Sequence, residues 1–87
     1  MIVLKPNQTV GETFSRPWDR AQIICSVPSG VDVTLEMLAP DGQWVATDQT
    51  WTQGSTPNAF YMSREAVYRL TANGGGVTAE LHRIGFT

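Results

Sequence analysis

Few side chains in this 87-residue sequence could do chemistry, and none of them stands at a reactive spacing. The one cysteine, Cys25, would need a nearby cation or a helix start to become a thiolate. It sits instead in the apolar series Ile23, Cys25, Val27 and reads as a buried filler. The one histidine, His82, falls in an alternating stretch with no acid–base partner evident from the sequence, and reads as a surface group. Asp32, Asp41 and Asp48 are too far apart for a calcium loop, which gathers about six to eight oxygens at tight spacing. Asp41-Gly42 is followed by Gln43-Trp44, so Asp41 reads as a turn aspartate. Asn73-Gly74-Gly75-Gly76 lacks the Lys-Ser/Thr of a phosphate loop and reads as a flexible hairpin tip. Neither a G-x-S-x-G elbow nor a clustered carboxylate pair occurs. The expectation is a protein that is not an enzyme, with no catalytic, metal or cofactor residues and no bound cofactor.

The tryptophans are the remaining candidates. Trp44 and Trp51 read as core or subunit-interface residues, since a large ring closes a small core. Trp18 follows Pro17 in a loop and divides between packing and contact with a partner, where Trp is a favoured anchor.

The elements that must position these residues are strands. Helical periodicity is nearly absent, and strand-like runs recur about every ten residues between turn signals. The expected strands begin with Ile2 to Lys5, Gln8 to Phe14 and Arg20 to Val27. Val31 to Met37 then alternates with Val31, Val33, Leu35 and Met37 inward. Ala39-Pro40-Asp41-Gly42-Gln43 is a hairpin turn, because Pro presets φ and Gly accepts positive φ. Gln43 to Thr47 returns, and Asp48 to Gln53 continues or bends into a further strand. Ala59 to Met62, Ala66 to Ala72 and Val77 to Ile84 follow, the last two joined by the Asn73–Gly76 tip. The fold class is therefore all-β: one domain over residues 1–87, a compact antiparallel β-sandwich, Ig-like or jelly-roll, of eight to nine short strands.

Composition narrows the function classes. Hydrophobic residues make up 41% and can build a core, while charged residues make up only 16% with a net charge of −2. No basic run exists, so the footprint of nucleic-acid binding is missing. No stretch nears the roughly 18 apolar residues of a spanning helix. The opening Met1-Ile2-Val3-Leu4-Lys5-Pro6 is too short an apolar run for a signal peptide, which leads us to expect synthesis in a cytoplasm. One cysteine allows no internal disulfide, and one Cys and one His cannot make a structural zinc site. A small domain without either staple is expected to gain burial by association.

Two stretches carry a resemblance. Val33-Thr34-Leu35-Glu36-Met37-Leu38-Ala39-Pro40-Asp41-Gly42-Gln43-Trp44-Val45 is similar to a strand–DG–W hairpin of small tailed-phage virion proteins. Ala66-Val67-Tyr68-Arg69-Leu70-Thr71-Ala72-Asn73-Gly74-Gly75-Gly76-Val77-Thr78-Ala79 resembles the closing segment of the same kind of protein. The resemblance implies a non-catalytic β-sandwich in the virion: a capsid decoration (cement) subunit, or a tail or fibre component. Its partners would be capsid or other virion proteins and further copies of itself, with a trimer as one candidate. The contact elements expected from the sequence are Ile2, Val3 and Leu4, adding as a strand to a neighbour's sheet, together with Trp18 and Phe86. Removing residues 2–5 should then abolish assembly and leave a folded domain. The hairpin is also similar to bacterial accessory sandwiches, and the alternative is a carbohydrate-binding module stacking sugars on Trp18 and Trp51.

Overall fold

The computed structural model describes residues 1–55, 57 and 59–84. Among them are seven strands: β1 (Ile2–Leu4), β2 (Arg20–Ser26), β3 (Val33–Leu38), β4 (Trp44–Trp51), β5 (Ala59–Tyr61), β6 (Tyr68–Ala72) and β7 (Thr78–Arg83). They form an all-β sandwich of two antiparallel sheets, β1-β7-β2-β5 and β4-β3-β6. The core lies between the sheets, and alternation along the strands fills it. Ala21 and Ile23 of β2, Val33 and Leu35 of β3, Tyr68 and Leu70 of β6, and Ala79 and Leu81 of β7 all face inward and are buried. Trp51 is the largest side chain in that core.

The β3–β4 turn forms as its residues require. Gly42 N–H donates to Ala39 O at 3.0 Å, Ala39 N–H donates to Gln43 O at 2.8 Å, and Gly42 takes φ 85°. The Asp41 carboxylate accepts from Gln43 N–H at 3.0 Å, the Asx-type contact expected of a turn aspartate.

Two connections differ from the sequence expectation, and one reading left open is decided. Gln8 to Phe14 is not a regular strand. It crosses from the β1 edge of one sheet to the β6 edge of the other, touching β6 through bridges at Val10–Thr71 and Phe14–Tyr68. Gly11 makes the crossing: its N–H donates to Leu70 O at 2.9 Å, and any Cβ there would lie 2.1 Å from Val3 O. The second difference is the Asn73–Gly76 segment, which is no hairpin tip. It carries the chain from β6 in one sheet to β7 in the other. The Asn73 side-chain oxygen accepts from Asp32 N–H at 2.8 Å, and Gly76 N–H donates to Pro6 O at 2.9 Å with φ 87°. The open reading is the stretch from Gln43 to Gln53, expected either to continue or to bend at Asp48: it continues as the single strand β4. A bulge absorbs the bend: Thr34 pairs with Thr50 and Glu36 with Ala46, so Thr47, Asp48 and Gln49 stand opposite Leu35 alone. Thr47 Oγ1 holds the bulge, donating to Leu35 O at 2.8 Å and accepting from Gln49 N–H at 3.2 Å.

A second bulge shapes β1. Ile2 pairs with Glu80 and Leu4 with Ala79, which leaves Val3 as an extra residue. The kink turns two consecutive side chains, Val3 and Leu4, into the core, which strict alternation would not allow.

Candidate functional site

The structure separates the residues that the sequence marks as contact elements. Of the N-terminal three, only Ile2 is exposed, at 47%; Val3 and Leu4 belong to the chain's own core. β1 is an edge strand, but it is short, bulged and crowded by Gly11 against Val3 O. Those are features that blunt an edge against pairing. Losing residues 2–5 would therefore remove core, so the expected result is a destabilised fold rather than a folded domain that fails to assemble. Trp18 is half-buried and packs against the core. Phe86 lies outside the described residues.

The tryptophans divide by face. Trp51 is buried, and its Nε1–H has no hydrogen-bond partner among the described residues. It offers no flat surface to a sugar, which corrects the carbohydrate-platform expectation for that residue. Trp44 is not core. It lies on the outer face of the β4-β3-β6 sheet, where the Arg69 guanidinium sits 4.3 Å from its ring centroid. Arg69 Nε in turn donates to Glu36 Oε1 at 2.7 Å. The register puts Glu36 beside both Ala46 and Arg69, so the three side chains form one stack across the sheet.

The titratable groups are structural or exposed. Burial pushes the Cys25 thiol up to about 11, which makes it a poor nucleophile. The bidentate contact of Arg64 with Asp19, at 2.8 and 3.2 Å, holds the Asp19 carboxyl below its usual value, and both groups are solvent-exposed. His82 Nε2 lies 3.2 Å from Glu80 Oε2 on the outer face of the other sheet. Among the described residues, no three His, Cys, Asp or Glu side chains are grouped to hold a metal ion.

One concavity among the described residues lies where the two sheets part. A cleft of about 340 Å³ opens between the edge strands β4 and β5. One wall is the β4 bulge at Thr47, Asp48 and Gln49, and the other is the β5 edge, Ala59 to Tyr61. Leu35, Met37 and Tyr68 reach it from β3 and β6. Its size is at the lower end of the roughly 300–1,000 Å³ range of ligand pockets. Met37 and Val45 share the core-facing side of their sheet, yet they are 37% and 51% exposed because the opposite sheet ends at β5. Tyr61, at 81%, is the most exposed large apolar side chain among the described residues. The Arg20 guanidinium lies 5.7 Å from its ring centroid.

Sequence reasoning missed this cleft. The one available signal was the length from Gln43 to Gln53, too long to pair evenly with β3, but that run does not reveal which element faces it. No protein family, curated protein or solved structure matches the chain.

Proposed function

We propose that this chain is a non-catalytic structural protein of a tailed-phage virion, a capsid decoration subunit that docks in many copies on the head lattice. The observation that carries the reading is the placement of its exposed apolar residues on a surface poor in charge. Ile2 and Ile24 flank Glu80 in one row across the outer face of the first sheet. Leu38 stands beside Trp44 on the outer face of the second, and Val45 and Tyr61 line the open side. Apolar groups spread over several faces suit a subunit with several neighbours more than one with a single pocket. Many small contacts of that kind add up when a lattice repeats them. The resemblances of the Val33–Val45 hairpin and of the Ala66–Ala79 stretch supply the virion context, and the homo-oligomer belongs to the same proposal.

Electron microscopy of shells incubated with the purified protein tests it. The expected result is regular added density at fixed lattice positions, with a fixed ratio of copies per capsid subunit. Bare shells at saturating protein would overturn the decoration role. The tail or fibre reading predicts density on those parts instead. Binding across a glycan array would favour a carbohydrate module, with the half-buried Trp18 and the exposed Tyr61 in place of Trp51.

A further inference from the structure

We propose that the edge of β5, unpaired among the described residues, pairs with β5 of a second copy, extending the β1-β7-β2-β5 sheet across a two-fold axis into eight strands. The main chain sets the register. Met62 N–H donates to Asp19 O at 2.8 Å, and Arg20 O accepts from Ile84 N–H on the β7 side. Asp19–Met62 is thus a hydrogen-bonded pair and Arg20–Tyr61 is not. Along β5, Phe60 turns its main-chain groups to β2, while Ala59 and Tyr61 turn theirs outward to the cleft.

An antiparallel match centred on Phe60 brings Ala59 opposite Tyr61 of the second copy, and the reverse. Each such pair exchanges two hydrogen bonds, and the two-fold makes the contact self-complementary. A large ring then lies over a small side chain on the outer face, covering the exposed Tyr61. On the inner face, Phe60 of the second copy lies beside Phe60 at the cleft and adds cover toward Met37. Charge does not oppose self-pairing along the strand. Ala59, Phe60 and Tyr61 are uncharged, so no like charges meet across the axis. The other edges are guarded: β1 by its bulge, β6 by the Gln8–Phe14 segment, and β4 by a bulge bearing Asp48. β5 has neither bulge nor charge. A three-residue contact falls well short of the roughly 1,600 Å² of a standard interface, so the dimer should dissociate on dilution. A lattice that holds copies close would favour it, but the pairing stands without the virion reading.

Sedimentation equilibrium over a wide concentration range, with amide hydrogen exchange by NMR, tests the proposal. The expected mass rises from monomer to dimer, and the Ala59 and Tyr61 amides gain protection as it does. Tyr61→Lys places like charges beside the axis. Ala59→Pro removes an outward donor without touching the β2 ladder. Both should remain folded, with unchanged protection in β2 and β7, and stay monomeric at every concentration. A wild-type chain monomeric throughout, a trimer, or a dimer undisturbed by both substitutions would overturn the pairing. So would protection of the same amides in a monomer by an added capped Thr-Val-Thr-Val-Thr peptide, which would assign the edge to a foreign strand. If one variant unfolds, the other decides.

Discussion

The two open sides of the sandwich solve the same problem in opposite ways. On the side of β1 and β6, the Gln8–Phe14 segment crosses between the sheets and joins β6 by main-chain bonds. Val3, Leu4 and Phe14 are buried there, and Phe14 stacks on Tyr68 with centroids 5.8 Å apart. On the side of β4 and β5 nothing crosses among the described residues, and core-facing Met37 and Val45 meet solvent. The two sides use similar residue types. What separates them is a connection that carries Gly11, whose missing side chain lets one backbone rest on another. The closed side should therefore hold the stability, and the open side should hold the capacity for contact.

Substitutions that weaken one side and spare the other test that division. The largest effect is expected from Leu4→Ala on the closed side. Leu4 is fully buried, and a Leu→Ala cavity costs about 2–5 kcal/mol; urea unfolding would measure it. A loss near zero would show that β1 is dispensable and would break the comparison. Gly11→Ala should come next, at about 1–3 kcal/mol or more, because the new methyl meets the Val3 carbonyl, a main-chain atom that cannot swing away. The same unfolding curve should show it, with native exchange protection retained in β3.

Cys25 tests the middle of the molecule, on β2 between β7 and β5. Its folded-state pKa is raised by burial from 9.0 to about 11, so the fold favours the neutral thiol. The stability it contributes is complete below about pH 9 and is lost as pH rises through about 11. Absorbance of the thiolate should titrate near the raised value when folded and near the ordinary one in denaturant. Cys25→Ser should flatten that part of the stability curve. The smallest effect belongs to the open side. Val45→Thr, at a half-exposed position, should change stability by no more than about 0.5 kcal/mol. A larger loss, by thermal melting, would mean that the open side also carries the fold.

Much of this architecture was legible in the residues. Ile23 against Ile24, Leu70 against Arg69 and Leu81 against His82 each fall on the face that alternation assigns them. The Pro40-Asp41-Gly42 turn formed where expected. The errors have one physical origin. Asn73–Gly76 has the chemistry of a tight turn, yet the strands on either side belong to different sheets. Gly and Asn set the local φ and supply local hydrogen bonds, but they do not choose the sheet that the next strand joins. Val3 was misplaced for a related reason, and the core reading of Trp44, though not the interface one, falls with it. A bulge at β1 draws Val3 inward, and the β4 register puts Trp44 outside over Arg69. Bulges are set by pairing with a distant strand and leave little mark in the strand's own sequence.

The sequence by itself determined an all-β chain with one core, its inward faces, one hairpin, and a surface sparse in charge. Those follow from a period of two and from turn chemistry, which act over a few residues. Only the tertiary structure decided which strands are neighbours, which edges are guarded, and that a cleft opens beside β5. An edge is defined by main-chain groups left unpaired, and every residue type but proline carries the same ones. Whether they are free depends on partners far away in the chain, so no stretch of side chains could announce it.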